Sequence, residues 1–258
     1  MYELPTLMVA PTGARRTKQD HPALPVTTAE IVAEAKACYE AGADGLHLHV
    51  RDAAGEHTLD VGLYRETLQE LGSAVPDLAV QITTEAVGIY SPLEQRNVVD
   101  ELQPGLVSIS IAEMAADPDT SAVIEFYQNC AAQEINVQHI LYSPDQVTDL
   151  FDWMSRASLI DNELQLLFVL GRYTHGQVSD PSLLLEFLDR IVNHETNPAN
   201  IDWGLCAFGQ QETACLTAAR RAGGKMRVGF ENSLWNDDGS VAANNAERVA
   251  EIVRHADL

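Results

Sequence analysis

One string in this chain combines residue types and spacing that point to chemistry: Leu46-His47-Leu48-His49-Val50-Arg51-Asp52. Side chains alternate faces along an extended strand, so His47 and His49 project together while Leu46, Leu48 and Val50 project to the other side. Two close imidazoles repel when both are protonated, and a shared divalent metal, zinc by preference, is the simplest way to hold both neutral. The plainer alternative is a pair of buried histidines satisfied by hydrogen bonds. A catalytic zinc takes three protein ligands and keeps one position open, so a third ligand must come from another part of the chain. The segment Arg227-Val228-Gly229-Phe230-Glu231-Asn232 offers Glu231, with Gly229 leaving room for a close backbone approach. Its competing roles are a cap on the following segment or an ion pair with Arg227.

For these residues to meet, the chain must bring distant segments to one place. Short runs rich in Val, Ile and Leu alternate with longer amphipathic segments, the pattern of βα units feeding a parallel sheet. Eight strands are predicted, over 7–12, 45–51, 78–84, 106–111, 137–142, 164–171, 202–208 and 225–230. Thr27 with Glu30 forms a capping box, and Ser91-Pro92 and Ser143-Pro144-Asp145 place proline in a first helical turn. Gly42, Gly72 and Gly223-Gly224 fall where left-handed helix caps are expected. Eight βα units in this length are the arithmetic of a (β/α)8 TIM barrel, with the reactive groups on the loops after the strands, at the C-terminal face. In a closed barrel the eighth strand neighbours the first and stands close to the second, which lets Glu231 reach the two histidines. Polar residues also end strands three and four, Gln81-Ile82-Thr83-Thr84-Glu85 and Ser108-Ile109-Ser110, where hydroxyls can bind a substrate carboxylate or carbonyl.

The composition sets the outer bounds. A chain of 258 residues, 46% of them apolar, buries one large core, and residues 1–258 are expected to form one domain. The net charge of -22, from 16 basic against 38 acidic residues, repels phosphate backbones and anionic membrane surfaces and argues against a nucleic-acid partner. An anionic substrate stays open, since a metal or a local arginine reverses the field inside a cleft. Cys38, Cys130, Cys206 and Cys215 form no CxxC pair and no secretory leader is evident, so a reduced, cytoplasmic protein is expected. The longest apolar stretch, 164–170, is far short of the about 20 residues that cross a bilayer.

A family resemblance rests on several of these segments. Gly13-Ala14, Lys18, His21-Pro22-Ala23-Leu24-Pro25, Thr27, Ala41-Gly42-Ala43, the HLHVRD string and Gly55 are similar to the β-keto acid cleavage enzymes, of the 3-keto-5-aminohexanoate cleavage type. The similarity continues through Gln81-Ile82-Thr83-Thr84, Phe168-Val169-Leu170-Gly171 and Arg227 to Asn232. The pairing of HLHVRD with RVGFEN is the specific part. The resemblance implies one zinc ion per chain, a homotetramer built as a dimer of dimers, and condensation of a β-keto acid with acetyl-CoA to release acetoacetate and a new acyl-CoA. It places the metal on His47, His49 and Glu231, substrate contacts at Thr83 and Ser108, and an active-site arginine at Arg227. A β-keto acid can chelate a metal through its carboxylate and keto oxygens, and the metal's polarising charge activates the ketone.

Two positions depart from the family pattern. Asn232 stands where the type enzyme carries an acidic residue thought to be the base. An amide cannot accept a proton in that role, which leaves Glu85 or Asp52 as a replacement, or a deprotonation organised by Arg227 and the metal. Arg15 stands where the type enzyme has a glutamate facing an amino group, so an aminated substrate is disfavoured and one with an anionic or neutral far end favoured. The loop Arg172-Tyr173-Thr174-His175 is also unlike the type enzyme's glycine-rich loop, and Arg16, Lys18 and Arg172 are the basic groups expected to meet the nucleotide phosphates. Two rival readings remain. One is a metal-dependent hydrolase of the amidohydrolase kind, to which His139 and His175 would contribute; the other is a metal-binding relative without catalysis.

Overall fold

The computed structural model describes residues 3–172, 175–196, 198 and 200–257. Eight parallel strands close into a barrel: β1 (Leu7–Val9), β2 (Gly45–Leu48), β3 (Ala79–Thr83), β4 (Leu106–Ser110), β5 (Asn136–Leu141), β6 (Leu164–Leu170), β7 (Ile201–Ala207) and β8 (Lys225–Val228). A helix follows each: α1 (Thr28–Glu40), α2 (Val61–Ala74), α3 (Pro92–Leu102), α4 (Thr120–Ala132), α5 (Asp145–Arg156), α6 (Leu184–Val192), α7 (Glu212–Arg221) and α8 (Asn245–His255). The ring closes through β1, which pairs with β8 (Met8 opposite Arg227) and with β2 (Val9 opposite Leu46). None of the described helices is long and apolar enough to cross a membrane.

The alternation of side chains sorts the strands into two environments. Leu46, Leu48, Ile82, Val107, Ile109, Leu166, Phe168 and Val228 face outward and pack with helix residues such as Ile31, Tyr64, Leu71 and Val249 in the main apolar layer. Inside the barrel the apolar filling is small, formed by Ile140, Leu167, Val169, Cys206 and Phe208. Polar side chains occupy much of the remaining interior, and they lead to the site.

The predicted strands are observed in order, with changes at their ends. The run 45–51 breaks after Leu48, and Val50–Arg51 turns out of the barrel to pair antiparallel with His57–Thr58. Asp52 makes this turn, accepting the N–H groups of Ala54 and Glu56 at 2.9 Å each. The capping boxes at Thr27/Glu30 and Ser91/Glu94 are present, whereas Pro144 sits one residue before its helix and caps nothing with its side chain. Gly42 and Gly223 adopt positive φ as expected; Gly72 instead lies inside α2, which runs on to Ala74 and ends at Val75.

His139 faces the helical layer, its ring 5.2 Å from that of Tyr127, with Nδ1 lacking a hydrogen-bond partner. Burial presses this imidazole down to about 3. A folded-state value below the unfolded one contributes stability that is complete above about 6.5 and lost as pH falls toward 3. Between pH 7 and 5 the loss is about 2 kcal/mol on this residue alone. Urea midpoints should fall over that interval in the native protein and fall less in His139→Leu; equal slopes would refute the assignment.

Candidate active site

At the mouth of β2 the period of two does what the sequence requires of it. His47 and His49 are each 1% exposed, their Nε2 atoms 3.1 Å apart. Glu231 Oε2 lies 3.5 Å from the first and 3.3 Å from the second. A relay of amides fixes the tautomer of His47. Gln138 Nε2 donates to the Leu166 carbonyl at 3.2 Å, and Gln81 Nε2 donates to Gln138 Oε1 at 2.9 Å. Gln81 Oε1 is thereby left as acceptor for His47 Nδ1–H, also at 2.9 Å, and the Nε2 lone pair points at Glu231. Behind His49 stands His57, brought in by the ribbon, with ring centroids 5.3 Å apart and Nε2 donating to the Glu85 carbonyl at 2.8 Å.

The turn that carries Glu231 is clamped from three elements. Gly229 N–H reaches Glu212 Oε1 of α7 (3.3 Å), Phe230 N–H reaches Asn245 Oδ1 of α8 (2.7 Å), and Glu231 N–H reaches the Ala10 carbonyl after β1 (3.0 Å). Gly229 has φ of +135°, and a Cβ there would come within 2.6 Å of Ala10 O. Gly13, at φ of +62°, packs on Glu231 so closely that a Cβ would meet Cγ at 2.7 Å. Both glycines are therefore required by backbone conformation and by contact. Arg51 secures the loop after β1 from outside the cavity, donating to the carbonyls of Gly13 and Arg16.

The two oxygens of Glu231 divide their work. Oε1 takes Arg227 Nη2 at 3.1 Å, the ion pair foreseen as an alternative role, while Oε2 faces the histidines and makes no hydrogen bond. Burial alone would raise this carboxyl, but Arg227 and the two imidazoles hold it well below the usual carboxylate range. Burial, aided by Arg227, keeps His47 well below the ordinary histidine value. The three ligand atoms lie within 4.8 Å of one another and offer two imidazole nitrogens and a carboxylate oxygen, a donor set that fits a zinc-like divalent ion. It is the one such group among the described residues. His139 lies on the outer face of the barrel and His175 is exposed, so the additional ligands needed by the amidohydrolase reading are not brought to it.

A cavity of about 270 Å³ opens over these residues, lined also by Thr83, Glu85, Arg15, Arg16, Arg172 and Arg227. Arg227 sits 4% exposed with Nε and Nη1 lacking partners, two donors available to a bound oxyanion. Glu85 is paired with Arg172 Nη2 at 3.0 Å and stands 4.0 Å from Arg15 Nε. Ser108 is buried beside Thr83 across the β3–β4 ladder with its Oγ unpartnered, and it does not line the cavity. Asn232 is fully buried, its amide atoms unpartnered and likewise behind the cavity wall. One expectation is corrected here. Asp52 is exposed in the ribbon turn and is not brought to the cavity as a base. Lys18 reaches Glu30 at 2.8 Å and the Leu24 carbonyl, and it does not line the cavity. Tyr173 and Thr174 lie outside the described residues.

Gln81, Arg51, His57 and Glu212 were not assigned these roles in advance. His57 was the most accessible of them from sequence, because Asp52 and Gly55 between two short extended runs are a turn signal.

Barrel and site together define a (β/α)8 protein with a two-histidine, one-carboxylate set at its C-terminal mouth. Comparison with known proteins narrows the class: the pattern of the beta-keto acid cleavage enzymes matches residues 6–258, and the chain belongs to that family of enzymes. The 3-keto-5-aminohexanoate cleavage enzyme of Fusobacterium nucleatum subsp. nucleatum is 29% identical over 266 residues, covering 99% of this chain and 92% of its own. The 3-oxoadipate:acetyl-CoA acetyltransferase of Cupriavidus necator is 23% identical, covering 95% and 86%. Among solved structures, ObcA in ternary complex with a C4-CoA adduct and oxalate superposes with a TM-score of 0.67 at 15% identity. That match covers 90% of this chain and 63% of ObcA, and shows the shared barrel fold.

Proposed function

We propose that this enzyme condenses a β-keto acid with acetyl-CoA and releases acetoacetate and a new acyl-CoA, using one zinc ion held by His47, His49 and Glu231. The observation that carries the reading is the convergence of two imidazole nitrogens and Glu231 Oε2 beside the two unused donors of Arg227 in one cavity. When bound, the ion supplies Lewis-acid polarisation of a ketone oxygen and stabilises enolate charge. The side chains around it bind and orient. Arg227 Nε and Nη1 take a substrate oxyanion, and Thr83 Oγ1, already accepting Glu85 N–H at 3.1 Å, presents its hydroxyl to the same space. Glu85, paired with Arg172 and 4.0 Å from Arg15, is a cavity carboxylate outside the ligand set, and it takes the role of proton acceptor that Asn232 cannot fill. Ser108 and Asn232 support the site from behind its wall. The exchange balances: the acyl group of the keto acid passes to the thiol of CoA, and its two-carbon carboxymethyl part receives the acetyl group.

The test is to incubate metal-loaded and chelator-stripped protein with β-keto acids and acetyl-CoA and follow products by mass spectrometry. Acetoacetate and a new acyl-CoA should appear in equal amounts, vanish on stripping and return with Zn2+. Hydrolysis of acetyl-CoA to acetate and CoA, with no second thioester, would overturn the reading. The same family likeness leads us to propose one domain over residues 1–258, a homotetrameric dimer of dimers and a cytoplasmic location, the assembly being checked by native mass spectrometry.

A further inference from the structure

The charge around the cavity is opposite to that of the chain as a whole. A protein of net charge -22 places four of its 16 basic residues, Arg15, Arg16, Arg172 and Arg227, on the wall of one cavity of about 270 Å³. Two of these are held by the protein itself, Arg227 through Nη2 only. Arg227 is bound to Glu231, and Arg16 donates to the carbonyls of Phe230 and Asn232. The other two share a single carboxylate: Arg172 contacts Glu85 at 3.0 Å with its guanidinium 5.0 Å above the Phe208 ring, and Arg15 stands off at 4.0 Å with its side chain 60% exposed. Asp20, which also borders the cavity, is turned to the N–H and hydroxyl of Thr17. Four guanidinium groups thus share the cavity with three carboxylates, Asp20, Glu85 and Glu231, a surplus of one positive charge, and Arg15 is the most exposed and least engaged of the four.

We propose that the far end of the β-keto acid carries a second carboxylate, received by Arg15 with Arg172 beside it. The proposal rests on the function inferred above. A surplus guanidinium facing a cleft provides planar, paired donors that match a carboxylate, and it disfavours an ammonium group at the same place. The size of the cavity argues for the keto acid over the nucleotide of CoA, since about 270 Å³ falls just below the roughly 300–1,000 Å³ range of drug-sized sites. Glu85 keeps Arg172 in place while Arg15 is free to swing onto the ligand, so Arg15 is the residue that sets specificity.

The experiment compares three β-keto acids of equal chain length, ending in a carboxylate, a methyl group or an amine, each with acetyl-CoA, by acetoacetate release. In the native enzyme kcat/KM for the diacid should exceed that for the methyl-ended acid by about 100-fold. Arg15→Glu should remove that advantage mainly through KM and shift preference toward the amine. Arg15 donates no hydrogen bond among the described residues, and the native-enzyme ratio is in any case independent of the variant. Equal or better turnover of the methyl-ended or aminated acid would overturn the specificity while leaving the function standing. Absence of acetoacetate from all three would bring down both.

Discussion

Glu231→Gln is expected to leave the enzyme without its ion and without measurable exchange activity. Loss of a group that merely orients a ligand weakens metal binding by about 10–100-fold, and loss of a direct ligand costs more. Among the described residues Glu231 is also the carboxylate that faces both imidazoles, at 3.5 and 3.3 Å, so its charge is what favours a dication there. Metal analysis after dialysis should give one ion per native chain and close to none in the variant, with turnover down by about 10³ or more. The substitution strands buried Arg227, which has Glu231 as its ion-pair partner, so melting should be followed in parallel. His49→Ala provides a second route to the same result with the Arg227–Glu231 pair intact, and His49 Nδ1 has no partner to lose. Retention of one tightly held ion in both variants would show that these side chains are not the ligands.

The largest effect on stability is expected at Arg248, which lies 0% exposed beneath the turn that carries Glu231. Its Nη2 binds Glu212 Oε2 at 2.8 Å and Thr213 Oγ1 at 3.0 Å, and its Nη1 binds Glu251 and Asn236. Glu212 is itself 0% exposed, and burial pushes its carboxyl up to about 7 even with Arg248 opposing the shift. Arg248→Met removes the opposing charge and should destabilise the fold by about 3–5 kcal/mol. The sign of its pH dependence follows from the same group. A carboxyl whose folded value is raised contributes stability below its unfolded value of 4.5 and loses it as pH rises through the folded one, which the variant raises further. The deficit should accordingly be smaller at pH 5.5 than at pH 8 in urea titrations, and adding Glu212→Gln should recover part of it at the higher pH. A pH-independent deficit below about 1 kcal/mol would mean that the pair is not the buried charge cluster described. Because Glu212 Oε1 also receives Gly229 N–H, the cluster links the stability of α7 and α8 to the placement of Glu231.

Much of the site could be read in advance because the relevant rule is local. Side chains two apart on a strand share a face whatever surrounds them, so His47 and His49 were paired by their spacing, and the eight βα repeats followed from apolar periodicity and caps such as Thr27 with Glu30. What those periods could not carry was how one segment meets another. That Glu231 serves Arg227 with one oxygen and the histidines with the other, that Asp52 is spent on a ribbon turn, and that Arg172 and Arg15 crowd one carboxylate were all decided by barrel closure. The amide relay from His47 through Gln81 to Gln138 likewise needs three strands in one register. Local spacing therefore determined which residues could act together on one strand, while the pairing of strands far apart in the chain, set by register and ring closure, determined which charges and donors they would face.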